Sequence, residues 1–231
     1  MWKWEKSTIE AVQKIDPIGP VNGEAQISFS PYDPTKIVVT GGGIYKQFLY
    51  QDKKFNEHYS APNVPGQEGS MTFTCHCWSA EGYLVVCTAE GDVIICKDSG
   101  EFKLVLEDSP GQGVVINSIT AFSRGLVVGG TKGEVFIYTH EKTDDINIPF
   151  QRMPVKEDIV IKCERSTNEN PGIMSMAVTS TEDMIYLITN NNQLLKLSIS
   201  LDGTDDECTQ ENVIYDFHSE AVTGLDICLR K

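Results

Sequence analysis

A short unit of two apolar strands joined by a tight polar turn recurs along this chain, and it limits the possible folds more than any other feature. The four copies span residues 37–50, 84–97, 126–139 and 185–198. Their turns are centred on Gly42, Gly91, Gly133 and Asn192, which lie 49, 42 and 59 residues apart. A pair of strands cannot bury both of its own faces, so each copy must stack against its neighbours.

An alternating run of apolar and polar residues precedes each copy and adds a strand to the unit. These runs begin at Ala25, Thr72, Ile116 and Ile173, and an outer strand follows the turn pair, as in 101–106. A repeat of about 40–45 residues with four strands is the period of a WD40-type β-propeller blade. The sequence therefore predicts an all-β fold with about four full four-stranded blades, at approximately 21–62, 68–110, 113–165 and 170–217.

The two ends of the chain predict incomplete blades. Residues 1–20 contain a strand-like segment, MWKWEK, without the strands that would precede it, and residues 218–231 look like the first strand of a further blade. A closed propeller usually has more blades than this and leaves no sheet face uncovered. We therefore expect residues 1–231 to form part of one incomplete propeller. Alone, it should aggregate or bind a complementary chain, namely the remainder of its own propeller.

A small set of residues is predicted to have structural roles. The set is Trp4, Glu5, Gly42, Gly91, Gly133, Asn192 and His218. The glycines supply the positive φ that a tight turn between middle strands needs, and asparagine is the next most tolerant residue. His218 lies where WD repeats carry a histidine that hydrogen-bonds within the blade, and Trp4-Glu5 takes the place of their Trp-Asp pair. A surface histidine without a partner is the alternative for His218, and the sequence leaves both open.

Charge and cysteine content restrict the compartment and the partners. The formal net charge is -14 at pH 7, which disfavours direct contact with nucleic acid or an anionic membrane. The 7 cysteines are an odd number, and most lie inside apolar strand patterns, which favours reduced thiols over a disulfide framework. The sequence has no apolar run long enough to span a bilayer and no signal-peptide core at its start. We expect a cytoplasmic protein.

No cluster of side chains in the sequence fits a metal, cofactor or catalytic site. Cys75-His76-Cys77 lies in a strand predicted to be half-buried, with the cysteines on one face and the histidine on the other. The acidic stretch 202–213 lacks the glycine and the final glutamate of an EF-hand loop, and Gly41–Gly43 joins two strands rather than opening a helix. The inner-strand residues expected to face the central channel are small and neutral: Ser28, Thr74, Ser118 and Ser175. We therefore expect no cofactor, no metal and no enzymatic activity.

Two stretches lie outside the repeat and are candidates for partner contact. Residues 140–166 explain most of the long third step and are expected to hold an outer strand near Ile159 to Cys163, and residues 201–211 form an acidic loop. Loops on a rigid scaffold carry binding more often than the scaffold itself. Solvated insertions without function explain both stretches equally well, and no individual contact residue is assigned.

Several segments, taken in order, resemble the cilia- and flagella-associated protein 57 family, whose members are WD-repeat proteins of motile cilia. The segments are Met1–Lys6, Ser30–Lys46, His76–Trp78, Asn190–Leu201 and His218–Lys231. The resemblance covers nearly the whole chain, although each motif is short. It implies that the chain is an interior part of the family's first WD40 propeller, and that the family's long coiled coils lie outside it.

The same resemblance implies a function in the axoneme of cilia and flagella. Family members help to anchor and regulate a subset of inner dynein arms, so the implied partners are inner-arm and doublet-microtubule-associated proteins of this part of the cytoskeleton. No catalytic or partner-contact residue can be carried over from the family. The leading hypothesis is a non-enzymatic scaffold. The alternative is a WD40 substrate receptor or coat-type adaptor in another cytoplasmic complex.

Overall fold

The computed structural model describes residues 2–3, 8–15, 25–59, 61–67, 69–140, 150–153, 159–161, 170–199 and 209–216. Within these ranges the regular structure consists of β-strands, so the fold is all-β as predicted. The described residues include no helix that is long and apolar enough to cross a membrane. The first two strands, β1 (Trp2–Lys3) and β2 (Thr8–Ile9), form a small antiparallel pair in the region predicted to be a partial blade.

Four antiparallel sheets, here called blades 1 to 4, follow one another along the chain, and consecutive strands pair within each, apart from the last strand of blade 3. Blade 1 consists of β3 (Gln26–Phe29), β4 (Lys36–Gly41), β5 (Ile44–Gln51) and β6 (Lys54–Tyr59). Blade 2 consists of β7 (Phe73–Trp78), β8 (Leu84–Thr88), β9 (Val93–Cys96) and β10 (Phe102–Val105). Blade 3 consists of β11 (Ile116–Phe122), β12 (Gly125–Gly130), β13 (Glu134–Thr139), β14 (Gln151–Arg152) and β15 (Ile159–Val160). Blade 4 consists of β16 (Ile173–Val178), β17 (Met184–Thr189), β18 (Gln193–Ser198) and β19 (Thr209–Asp216).

The inner and middle strands lie where the repeat predicts them, but two outer strands differ from the prediction. In blade 3, β14 pairs with one end of β13 and β15 with the other, whereas the sequence predicted a single strand near Ile159. Each of these strands has two residues, too few for an alternating pattern to be visible. In blade 4 the outer strand begins at Thr209, inside the stretch predicted to be an acidic loop, because it pairs with β18 from Ser198 onwards.

Neighbouring blades pack face to face, and apolar residues of the middle strands fill the seam between them. The seam sets are Val38 and Tyr45 with Leu84 and Val86, Val85 and Ile95 with Leu126 and Val128, and Val127 and Ile137 with Ile185 and Leu187. A middle strand that packs against a blade on each side must be apolar on both faces. This explains why the middle strands read as continuous apolar runs rather than as alternating ones.

The tight turns between the middle strands have a left-handed backbone at the four positions singled out by the repeat. The φ angle is 59° at Gly42, 92° at Gly91, 84° at Gly133 and 59° at Asn192. At Gly91 the chain also passes very close to a following loop. A Cβ there would lie 2.1 Å from the carbonyl oxygen of Gly111, whose N–H donates a 3.0 Å hydrogen bond to the Gly91 carbonyl. Gly91 is thus required both for its φ and for this close approach.

A polar side chain without hydrogen-bond partners lies in the seam between blades 1 and 2. Gln47 is buried, and neither atom of its amide has a hydrogen-bond partner in the described part of the chain. The corresponding strand position holds Ile95 in blade 2 and Ile137 in blade 3. An unpaired buried amide costs about 1–3 kcal/mol of stability. Gln47 therefore weakens the seam between blades 1 and 2, whereas the next two seams have isoleucine at this position.

Gln47→Met is expected to raise the free energy of unfolding by about 1 kcal/mol, because methionine keeps the length of the side chain and removes the unpaired amide. The midpoint of urea denaturation, compared at an unchanged slope, measures the difference. Gln51→Met, at the exposed end of the same strand, is the control and is expected to change stability by less than about 0.5 kcal/mol. A lower midpoint for Gln47→Met would show that the native amide stabilises the seam.

Candidate protein interaction surfaces

The inner strands of the blades surround a cavity of about 690 Å³ at the end of the fold where the tight turns lie. We call this cavity the channel mouth; it is lined by Ala25, Gln26, Gly42, Gly43, Thr72–Cys75, Ala89, Val115, Asn117–Ile119 and Met174–Met176. Of the residues predicted to face the channel, Thr74, Ser118 and Ser175 belong to this lining. Among the described residues, the lining side chains are hydroxyl, amide, thioether, thiol and apolar groups without formal charge.

The inner strands of blades 2, 3 and 4 each have a β-bulge at the channel mouth. The pairing register shifts around Thr74, Asn117 and Met174, so these residues have no partner in the strand ladder. In blade 1, β3 pairs with β4 without a shift. A bulge bends its strand and redirects the side chain of the extra residue. All three bulge residues line the same cavity, so the bulges shape the channel mouth.

Side-chain contacts between blades 3 and 4 fix part of this lining. Asn117 donates a 3.2 Å hydrogen bond from Nδ2 to the carbonyl oxygen of Ile173, and the same nitrogen lies 3.3 Å from Sδ of Met174. Ser118 donates from Oγ to the same carbonyl at 3.2 Å. These bonds hold the asparagine and the methionine in defined positions at the channel mouth before any partner binds.

The tight turns of blades 2 and 3 carry acidic side chains. On the blade 2 turn, Glu90 accepts a 3.3 Å hydrogen bond from the backbone N–H of Thr72, and Asp92 lies on the same turn. On the blade 3 turn, Glu134 accepts a 2.8 Å hydrogen bond from the backbone N–H of Lys132. Hydrogen bonds from neutral groups leave the negative charge of a carboxylate in place. Three carboxylates and one ammonium group therefore lie on these two turns.

A buried histidine joins blades 1 and 2 two residues along β7 from the first bulge. His76 is 0% exposed, and its ring lies between Thr40 Oγ1, 2.7 Å from Nδ1, and Ser28 Oγ, 2.6 Å from Nε2. Trp78 donates from Nε1 to Ser28 Oγ at 3.0 Å. The amide of Gln26 binds the backbone N–H and carbonyl of His76, both at 3.0 Å. We call these five residues the His76 network.

The position of His76 corrects the prediction of a half-buried strand. The alternating pattern placed His76 on the more exposed face of β7, but blade 1 buries this side chain completely. Burial lowers the pKa of His76 to about 4, so the ring is neutral at pH 7. Ser28, predicted to face the channel, instead belongs to this seam. The available clue was that polar residues recur on two inner strands expected to be neighbours, since buried polar groups need partners.

The cysteines beside His76 face the opposite seam. Cys75, Cys77 and Cys87 lie at the core between blades 2 and 3, and all three are free thiols. Burial raises the pKa of the Cys77 and Cys87 thiols well above the usual value, which keeps them protonated and unreactive. The cysteines thus pack in the core, as predicted. The imidazole and the thiols point into different seams and cannot converge on one metal ion.

Contacts at the other end of the blades tie neighbouring sheets together. Tyr32 donates from its hydroxyl to the carbonyl oxygen of Ser79 at 2.6 Å, between blades 1 and 2. Glu182 accepts a 2.7 Å hydrogen bond from the backbone N–H of Ser123 and a 3.2 Å bond from Nε of Arg124, between blades 4 and 3. Burial opposes ionisation of Glu182, but these hydrogen bonds outweigh it and lower its pKa. The two seams are therefore closed by polar contacts far from the channel mouth.

The face of blade 1 that points away from blade 2 is covered in part by the segment 8–15, but two of its apolar side chains remain exposed. Ile27 is 66% exposed and Phe29 is 51% exposed. With the buried residues Ile37, Val39 and Phe48, and with residues of the segment 9–15, they line an apolar groove of about 640 Å³, which we call the blade 1 face. The corresponding faces of blades 2, 3 and 4 are covered by the preceding blade. A contiguous apolar surface of this kind marks an interaction site.

Ile27→Lys combined with Phe29→Glu is expected to shift the isolated chain from self-associated species towards monomer. Both side chains are exposed, so the charges disrupt apolar contact between molecules at little cost to the fold. Size-exclusion chromatography with light scattering measures the change. Gln51→Lys with Asn56→Glu adds the same charges to exposed positions of the same blade and is expected to leave association unchanged. Equal behaviour of the two double variants would rule out the blade 1 face as the associating surface.

Four of the seven predicted structural residues lie in the described part of the chain. Gly42 lines the channel mouth, and Gly91, Gly133 and Asn192 occupy the equivalent turns of the other blades. Trp4, Glu5 and His218 lie outside the described residues. So do residues 201–208 and most of residues 140–166, the two stretches predicted as candidates for partner contact.

Comparison with known proteins finds relatives along almost the whole chain, although no family model matches it. Cilia- and flagella-associated protein 57 A of Tetrahymena thermophila is 28% identical over 213 residues, which are 88% of this chain and 16% of that protein. Protein 57 C of the same organism is 26% identical over 91% of this chain and 17% of its own length. Cilia- and flagella-associated protein 57 of Mus musculus is 22% identical over 100% of this chain and 21% of its own length. The resemblance seen in the sequence is confirmed, and the chain spans at most about a fifth of these relatives.

Solved structures share the fold. The β-propeller domain of Myceliophteria thermophila Cps50 (Swd1) superposes with a TM-score of 0.58 at 15% identity, covering 74% of this chain and 55% of that domain. The periplasmic gluconolactonase PpgL of Pseudomonas aeruginosa superposes with a TM-score of 0.59 at 10% identity, covering 80% of this chain and 55% of that protein. Identities this low show the fold alone. The predicted class, part of a β-propeller, is confirmed.

Proposed function

We propose that this chain is part of a non-enzymatic scaffold of the motile-cilium axoneme, which helps to anchor and regulate inner dynein arms through protein–protein contacts. Its partners are inner-arm and doublet-microtubule-associated proteins, and the remainder of its own propeller covers the blade 1 face. The observation that carries this proposal is the similarity of 88–100% of the chain to three proteins named as cilia- and flagella-associated.

The structure supports a binding role for both open surfaces. The channel mouth is lined by hydroxyl, amide and thioether groups, which suit contact with another protein, whereas acid–base and nucleophilic catalysis use convergent ionisable groups. The blade 1 face offers an apolar groove with Ile27 and Phe29 exposed, on the side that each following blade buries against its neighbour. A fold alone does not fix a function, and a gluconolactonase shares this one. The proposed function is therefore supported by these surfaces together with the relatives.

The test is made in ciliated cells that express the full-length protein without blades 1 to 4. We expect its axonemes to lose a subset of inner dynein arms while they keep the outer arms, measured by quantitative mass spectrometry of isolated axonemes. Full-length protein carrying Gln51→Met is the control and should restore the normal composition. Normal inner arms, together with recovery of the protein in a soluble ubiquitin-ligase or coat complex, would favour the adaptor alternative.

A further inference from the structure

We draw no further inference here: the strongest candidate, the apolar groove of the blade 1 face between the segment 9–15 and strand β3, is the surface that the proposed function already assigns to the remainder of the propeller, and nothing in the described part of the chain indicates another occupant.

Discussion

Replacing Gly91 with alanine is expected to lower the free energy of unfolding by about 3 kcal/mol or more, which is enough to unfold a marginally stable chain. Two effects act at this turn. The φ of 92° is unfavourable for any residue with a Cβ, and that Cβ would lie 2.1 Å from the carbonyl oxygen of Gly111, which belongs to rigid backbone. The turn and the loop that it contacts would have to separate, and the hydrogen bond between Gly111 and Gly91 would be lost. Urea denaturation followed by circular dichroism measures the change.

Gly66→Ala separates the two effects. Gly66 has a similar φ of 81°, but a Cβ there would have no heavy atom within 4 Å. Its substitution reports the conformational cost alone, about 1 kcal/mol, so the remaining loss in Gly91→Ala measures the close approach. Equal losses at the two positions would show that the loop at Gly111 moves away without cost.

Stability is expected to fall as the pH is lowered from about 7 to about 4.5, by roughly 2.5 kcal/mol, because of His76. Burial lowers the pKa of this side chain to about 4, against 6.5 for a solvated histidine. Between these values the unfolded chain binds a proton that the folded chain does not, so acid favours unfolding. Above about pH 7 neither state is protonated, and the contribution of His76 is present in full and constant.

His76→Gln tests the origin of this slope. Glutamine does not titrate, so the variant is expected to be less stable at pH 7 but to lose most of the dependence on pH between about 6.5 and 4.5. Carboxylates with lowered pKa values, such as Asp33, Asp183 and Glu182, lose their contribution mainly below about pH 4.5, and they do so equally in both chains. Urea midpoints at several pH values measure both chains. An unchanged slope in the variant would assign the pH dependence to other groups.

The architecture was readable from the sequence because it depends on periodic features. A propeller blade places apolar residues at fixed intervals, and Gly91 and Gly133 mark turns whose φ few other residues adopt. The inner and middle strands of all four blades follow from these two rules. The two outer strands of blade 3 could not be predicted from the sequence, because β14 and β15 are too short to show a pattern. They are defined only by their pairing with the edge of β13.

The candidate sites were less predictable because they depend on contacts between blades. The bulge at Asn117 is visible only in the register between two strands, and the residues of one strand alone do not indicate it. His76 has the same local pattern as a surface residue, and its burial follows from Ser28 and Thr40 on another sheet. Composition did identify Thr74, Ser118 and Ser175 as neutral channel residues, since that expectation required only the position of each inner strand.

The His76 network also restricts which sheet can pack against blade 2. The apolar faces of the blades are chemically alike, and a surface of valine, isoleucine and leucine accepts another such surface with little selectivity. The ring of His76 requires Ser28 and Thr40, and its backbone requires the amide of Gln26. Packing against a different sheet would bury these groups without hydrogen-bond partners. The free energy lost in this way would exceed the free energy gained from apolar contact. These polar contacts therefore restrict blade 2 to one neighbouring sheet in one alignment.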